Sequence, residues 1–122
     1  MAREITDGAR RLIAKHIHSV EQLEVLLLLR AAPDKEWTAA EVARALVAQP
    51  DTAVVRLDDL AERRLVRKRD DRYVYAPGER EHDVTELAEC YASRRTAVIG
   101  LIFSKPSGAV TSFSDAFRFK KD

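Results

Sequence analysis

Thr38-Ala39-Ala40-Glu41-Val42-Ala43-Arg44-Ala45-Leu46, then Pro50-Asp51-Thr52-Ala53-Val54-Val55-Arg56-Leu57-Asp58-Asp59-Leu60, is the stretch whose reading decides the fold. Thr38 and Glu41 have the spacing of a capping box, in which the hydroxyl accepts from the Glu41 backbone N–H and the carboxylate accepts from that of Thr38. Ala39, Val42, Ala43 and Leu46 recur at helical steps and give this helix one apolar face. Pro50 disfavours helical geometry at Gln49, so the helix should stop near Ala48. The same proline suits the first turn of a second helix, where its missing N–H costs nothing. Ala53, Leu57 and Leu60 space out the buried stripe of that second helix, with Leu65 just past its end. Two helices so close in sequence must pack as neighbours at a steep angle.

After Arg64 the period falls from about four to two. Val66 and Lys68 alternate with Arg67 and Arg69, Asp70-Asp71 turns the chain, and Arg72-Tyr73-Val74-Tyr75 alternates back. Charged, aromatic and β-branched residues around an acidic two-residue turn predict a hairpin, which Pro77-Gly78 ends. Trp37 is expected to plug the edge of the core, and its short extended piece to form a third strand beside the hairpin.

Helix, turn, helix and hairpin make a winged helix-turn-helix, and here a resemblance enters. The run from Trp37 to Leu46, with Val54-Val55-Arg56-Leu57-Asp58-Asp59-Leu60-Ala61-Glu62-Arg63-Arg64-Leu65-Val66-Arg67, resembles bacterial winged-helix transcriptional regulators of the MarR/ArsR kind. In those families a glycine often precedes the Leu-Val pair and supplies a left-handed helix end. Arg64 stands there in this chain, at a cost on the order of 1 kcal/mol if that conformation is kept. The segments Tyr91-Ala92-Ser93-Arg94-Arg95 and Phe117-Arg118-Phe119 are also similar to small uncharacterised proteobacterial helix-turn-helix proteins with a long helix and a Phe-rich tail. That second resemblance spans most of the chain and names no ligand.

A chain of 122 residues fits one domain. With 34% charged and 46% apolar residues it has the balance of a folded protein, not of a disordered tail. The single cysteine, Cys90, excludes an intramolecular disulfide and offers no metal-site spacing. No charged-then-apolar leader opens the sequence, and the apolar runs Val25–Leu29 and Ala97–Phe103 are too short to span a bilayer, so a cytoplasmic protein without membrane contact is expected.

The formal net charge of +1 is small for a partner of nucleic acid, but charge is unevenly distributed. Arg63, Arg64, Arg67, Lys68, Arg69 and Arg72 face only Asp70 and Asp71 around the hairpin, while Glu79, Glu81, Asp83, Glu86 and Glu89 gather further on.

The whole chain thus reads as mainly α with a small β component. Residues 1–18 are expected to form an N-terminal helix, weakened by Gly8 and held by packing. Residues 19–78 form the winged unit, whose first helix runs from Ser19 to Arg30 with Ser19 and Gln22 in capping-box positions. Residues 79–105 are expected to form a long helix opened by Asp83 or Thr85. Its stripe of Val84, Leu87, Ala88, Tyr91, Val98 and Ile102 exceeds what the winged unit needs, and the surplus predicts a homodimer seam. Residues 106–122 form a Phe-rich tail with a short helix. The expected dimer contacts are Leu87, Tyr91, Val98, Ile102, Phe113 and Phe117.

Function follows from the winged unit. Its second helix would enter the major groove of double-stranded DNA with Asp51, Thr52, Val54, Val55, Arg56 and Asp59 outward. Arg56 would pair with a guanine, and Thr52 or Val55 would touch a thymine methyl. Arg63, Arg67, Lys68, Arg69 and Arg72 would hold phosphates, Tyr73 would bond a phosphate or pack on its strand, and Thr38 completes the candidate contacts. Asp51, Asp58 and Asp59 oppose this unless they accept from a cytosine amine or turn inward to Arg56 or Arg63. The alternative is therefore a winged helix kept for protein–protein contact in regulation. An enzyme is not expected: there is no phosphate-cradling glycine loop, nucleophile elbow or HExxH. No cofactor or metal is expected either, since His16 and His18 point to different faces of a helix, and no small-molecule effector is specified.

Overall fold

The computed structural model describes residues 5–104. Six α-helices and a three-stranded antiparallel sheet follow one another among these residues. Helix α1 spans Asp7–His16 and α2 spans Val20–Ala31. Strand β1, Trp37–Thr38, leads into α3, Ala39–Leu46, and α4, Pro50–Glu62. The hairpin of β2, Val66–Arg69, and β3, Arg72–Tyr75, is followed by one 3-10 turn, then α5, Glu81–Ser93, and α6, Arg95–Ser104.

The local signals around the quoted stretch act as read. Both halves of the Thr38–Glu41 capping box form, at 3.2 Å and 3.0 Å. Pro50 occupies the start of α4, and Leu57, Leu60 and Leu65 are fully buried. The sheet has the order β1-β3-β2, so Trp37 pairs with Tyr73 as the third strand. Trp37 is buried at the edge of the core with the Lys35 ammonium 4.2 Å above its ring.

Two helix ends close with left-handed residues that are not glycine. Helix α3 ends two residues earlier than read, at Leu46, with Val47 at φ 55°. Arg64 keeps φ 64° after α4, where Leu65 N–H donates to the Leu60 carbonyl and Arg64 N–H to that of Ala61. This is the double hydrogen bond of a Schellman end with arginine where glycine is usual. The left-handed conformation is kept despite its cost.

Helix α1 is shorter than the expected 1–18 span, because Thr6 caps it by accepting from Ala9 N–H and the chain leaves helical geometry at Ile17. Gly8 has a packing reason. A Cβ there would lie 2.5 Å from Glu86 Oε1 and 2.7 Å from Asp83 Oδ1 on α5, so the bare backbone leaves room for the two carboxylates that bond to Thr6 and Arg11.

Gln22 departs from the expected capping box. Ser19 caps α2 as read, accepting from the Gln22 N–H at 3.0 Å, but the Gln22 amide reaches elsewhere. Its oxygen accepts from His18 N–H at 2.7 Å, and its nitrogen donates to the His16 carbonyl and to Asp59 Oδ2, each at 2.8 Å. Gln22 is the one polar side chain buried in the core of the described residues, and it ties the end of α1 to the middle of α4.

The long helix expected over 79–105 is two helices that begin at Glu81. Arg94, at φ −135° and ψ 52°, breaks it, and the Ser93 hydroxyl donates back to the Glu89 carbonyl at 2.9 Å. Leu87, Tyr91, Val98 and Ile102 were read as a dimer seam, yet all are buried in the subunit's own core. Helix α6 folds back to touch α1 and α5, so the stripe is spent internally. Cys90 is buried with it. Phe113, Phe117 and the tail helix lie outside the described residues.

Candidate nucleic-acid interface

The hairpin alternates sharply. Val66 pairs with Tyr75 and Lys68 with Tyr73 on the face turned to the core, while Arg67 pairs with Val74 and Arg69 with Arg72 on the other. Arg67, Arg69 and Arg72 therefore share one solvent-facing surface. Arg69 and Arg72 stand directly opposite each other, a like-charge pair that destabilises a hairpin on its own. Arg69 leans toward Glu36 at 3.9 Å. Arg67 and Arg72 enter no ion pair among the described residues.

The other sequence-predicted contacts are engaged within the chain. Lys68 Nζ lies 3.0 Å from Asp58 Oδ1, which also accepts from the Tyr73 hydroxyl at 2.6 Å. The Tyr73 hydroxyl, with Lys68, holds the Asp58 carboxyl below its usual range. Burial, reinforced by Asp58, pushes the Tyr73 phenol up. The Tyr73 ring packs in the core, and its hydroxyl fastens the wing to α4. Arg56 Nε donates to Glu21 at 2.9 Å and is turned toward α2. Arg63 is also withdrawn, donating to Asp59 at 3.0 Å and to the Lys15 carbonyl at 3.1 Å. Thr38 spends its hydroxyl on the helix cap, and Thr52 is half-buried beside a groove of about 640 Å³ between α2, α3 and α4.

These pairings resolve the acidic difficulty for two of three carboxylates. Asp59 is bound by Gln22 and Arg63, Asp58 by Lys68 and Tyr73, and Asp51 alone stays exposed at the start of α4. Sequence reading foresaw an inward turn toward Arg63 but not Gln22 or Tyr73 as partners, because both lie on elements distant in sequence. Arg64, exposed at the joint between α4 and the wing, was noted for its conformation and not as a contact. Its place beside the basic hairpin adds a fourth guanidinium to those of Arg67, Arg69 and Arg72.

His16 sits half-buried near Arg63, its Nδ1 3.5 Å from the guanidinium. Burial, together with Arg80 and Arg63, holds its pKa below the usual histidine value. Among the described residues no three His, Cys, Asp or Glu side chains gather to hold a metal ion, and no helix is long and apolar enough to cross a membrane.

The fold is shared with solved winged-helix structures. A point mutant of S. aureus MepR bound to an oligodeoxyribonucleotide superposes with a TM-score of 0.54 at 15% identity, over 93% of this chain and 86% of that one. MepR, a transcription regulator of the Staphylococcus aureus multidrug efflux pump MepA, gives 0.52 at 18% identity over 98% and 89%. RV1404 from Mycobacterium tuberculosis gives 0.52 at 17% identity over 89% and 81%. No protein-family model matches the chain, and no curated protein matches its sequence. The architecture is a MarR-like winged helix.

Proposed function

We propose that this protein is a DNA-binding transcriptional regulator that acts as a homodimer in the cytoplasm, without catalytic activity. The observation that carries the reading is the outer face of the wing, where Arg67 and Arg72 stand exposed and in no ion pair among the described residues, beside the exposed face of α4. Cations held free at an energetic cost suit a duplex backbone, whose phosphates supply most of the affinity. The helix α4 would lie in the major groove and the wing along the adjacent backbone. One solved neighbour of the same fold is bound to an oligodeoxyribonucleotide, which supports this orientation of roles.

Dimerisation is supported by α6 in a different way than the sequence suggested. The helix is apolar nearly all round, but Val98 and Ile102 occupy only one side, leaving Phe103 75% exposed and Ile99 and Leu101 half-buried. A helix of that kind is enclosed on all sides in a finished assembly, and a second copy is the proposed cover.

The second reading, a winged helix used for protein contact, draws on one observation: Arg56, Asp58 and Asp59 are all committed inside the chain. Binding to mixed genomic DNA at low and raised salt separates the two, with sedimentation giving the mass. A dimer whose affinity falls steeply with salt is expected. Absence of retardation at low ionic strength would give the surface to a protein partner.

A further inference from the structure

The outward side of α4 is apolar where polar base readers are expected. Val55 is 59% exposed and Val54 38%, and among the described residues only Val47 and Phe103 are comparable large exposed hydrophobics. β-Branched side chains in an exposed helix interior do little for the helix itself, so neither propensity nor core packing accounts for the pair. The polar residues around them are occupied: Arg56 by Glu21, Asp58 by Lys68 and Tyr73, Asp59 by Gln22 and Arg63. What remains to meet a groove is the two valines, the half-buried Thr52 and Asp51 one turn before them, and the valines are the most exposed apolar atoms there.

The apolar feature a major groove presents is the methyl group on pyrimidine C5. We propose, on the premise that α4 enters a major groove, that Val54 and Val55 read pyrimidine C5-methyl groups. Site selection then rests on the methyl pattern and not on a bidentate arginine. The methyl has two sources in duplex DNA, thymine and 5-methylcytosine. They differ at the adjacent ring position: thymine presents an acceptor oxygen, cytosine an amine donor that suits the Asp51 carboxylate.

The test uses one duplex selected from a random pool and prepared in three forms: with thymine, with uracil for thymine, and with uracil plus 5-methylcytosine for cytosine. Affinities are compared at raised salt, where sequence-independent attraction to phosphate is weakened. Each contacted methyl lost should weaken binding roughly fourfold, the equivalent of one buried carbon. The paired substitution Val54→Ser and Val55→Ser removes both methyl groups from each of these exposed side chains, and the variant should bind all three forms alike.

Weaker binding of the uracil form by the unaltered protein, erased in the variant, supports a thymine source. Unchanged binding of the uracil form with tighter binding of the 5-methylcytosine form supports methylated cytosine. Equal affinity of the unaltered protein for all three overturns the proposal while DNA binding stands. Failure to bind any form at low salt overturns the premise, and the proposal with it.

Discussion

Helix α4 and the β2–β3 hairpin lie side by side and share Asp58, yet they treat charge in opposite ways. Along α4 three charged side chains bond to neighbouring elements: Arg56 to α2, Asp59 to Gln22, Asp58 to the wing. On the hairpin's outer face Arg67 and Arg72 enter no ion pair among the described residues, and Arg69 faces Arg72 across the strands. The helix uses its charges to fix its own orientation. The wing keeps its charges for a partner. Binding strength and binding geometry are thereby assigned to separate stretches of chain, which makes them separately breakable.

The largest effect is expected from reversing the wing's free charge. Arg67→Glu with Arg72→Glu should lower DNA affinity on the order of a hundredfold at low salt and flatten the salt dependence by about two units. Thermal unfolding should be nearly unchanged, since both side chains are exposed. An unchanged salt slope would remove the wing from the interface.

A smaller effect is expected at the shared residue. Asp58→Ala should destabilise the fold by about 1 to 3 kcal/mol, because the Tyr73 hydroxyl loses its acceptor beneath the wing. The sign with pH is fixed by the lowered pKa of Asp58. Its folded value lies below the unfolded one, so its contribution is complete above about pH 4 and fades as pH falls through the folded value. Unfolding curves of variant and parent should therefore converge in strong acid, and a gap that persists there would show that packing, not the carboxylate, is lost.

The smallest effect is expected at Arg56. Its half-exposed pair with Glu21 contributes less than about 1 kcal/mol, and Arg56→Ala should leave both stability and salt slope almost intact. A loss of affinity matching that of the wing variant would show that the pair opens on DNA and that helix and wing are not divided as described.

Local chemistry explains what could be read in advance. The Thr38–Glu41 capping box, the Ser19 cap, the proline at the start of α4 and the switch to period two each involve residues within a few positions of one another, and each appears in the structure. The burial of Leu57 and Leu60 follows from the same spacing. What escaped the sequence depends on long-range partners. The apolar stripe of 84–102 was legible, but not that α6 would fold back and spend it on α1 and α5. No proline or glycine marks the break at Arg94. Arg56 and Arg63 read as free cations because Glu21 and the Lys15 carbonyl lie dozens of residues away.

Gln22 has a mechanical consequence. Its amide is fully enclosed and bonds simultaneously to the end of the first helix and to a carboxylate midway along the one proposed to enter DNA. Sliding either helix past the other would strand that amide, at about 1 to 3 kcal/mol for each group left unsatisfied. Shearing the first helix against the fourth therefore costs the hydrogen bonds that pass between them through this one side chain.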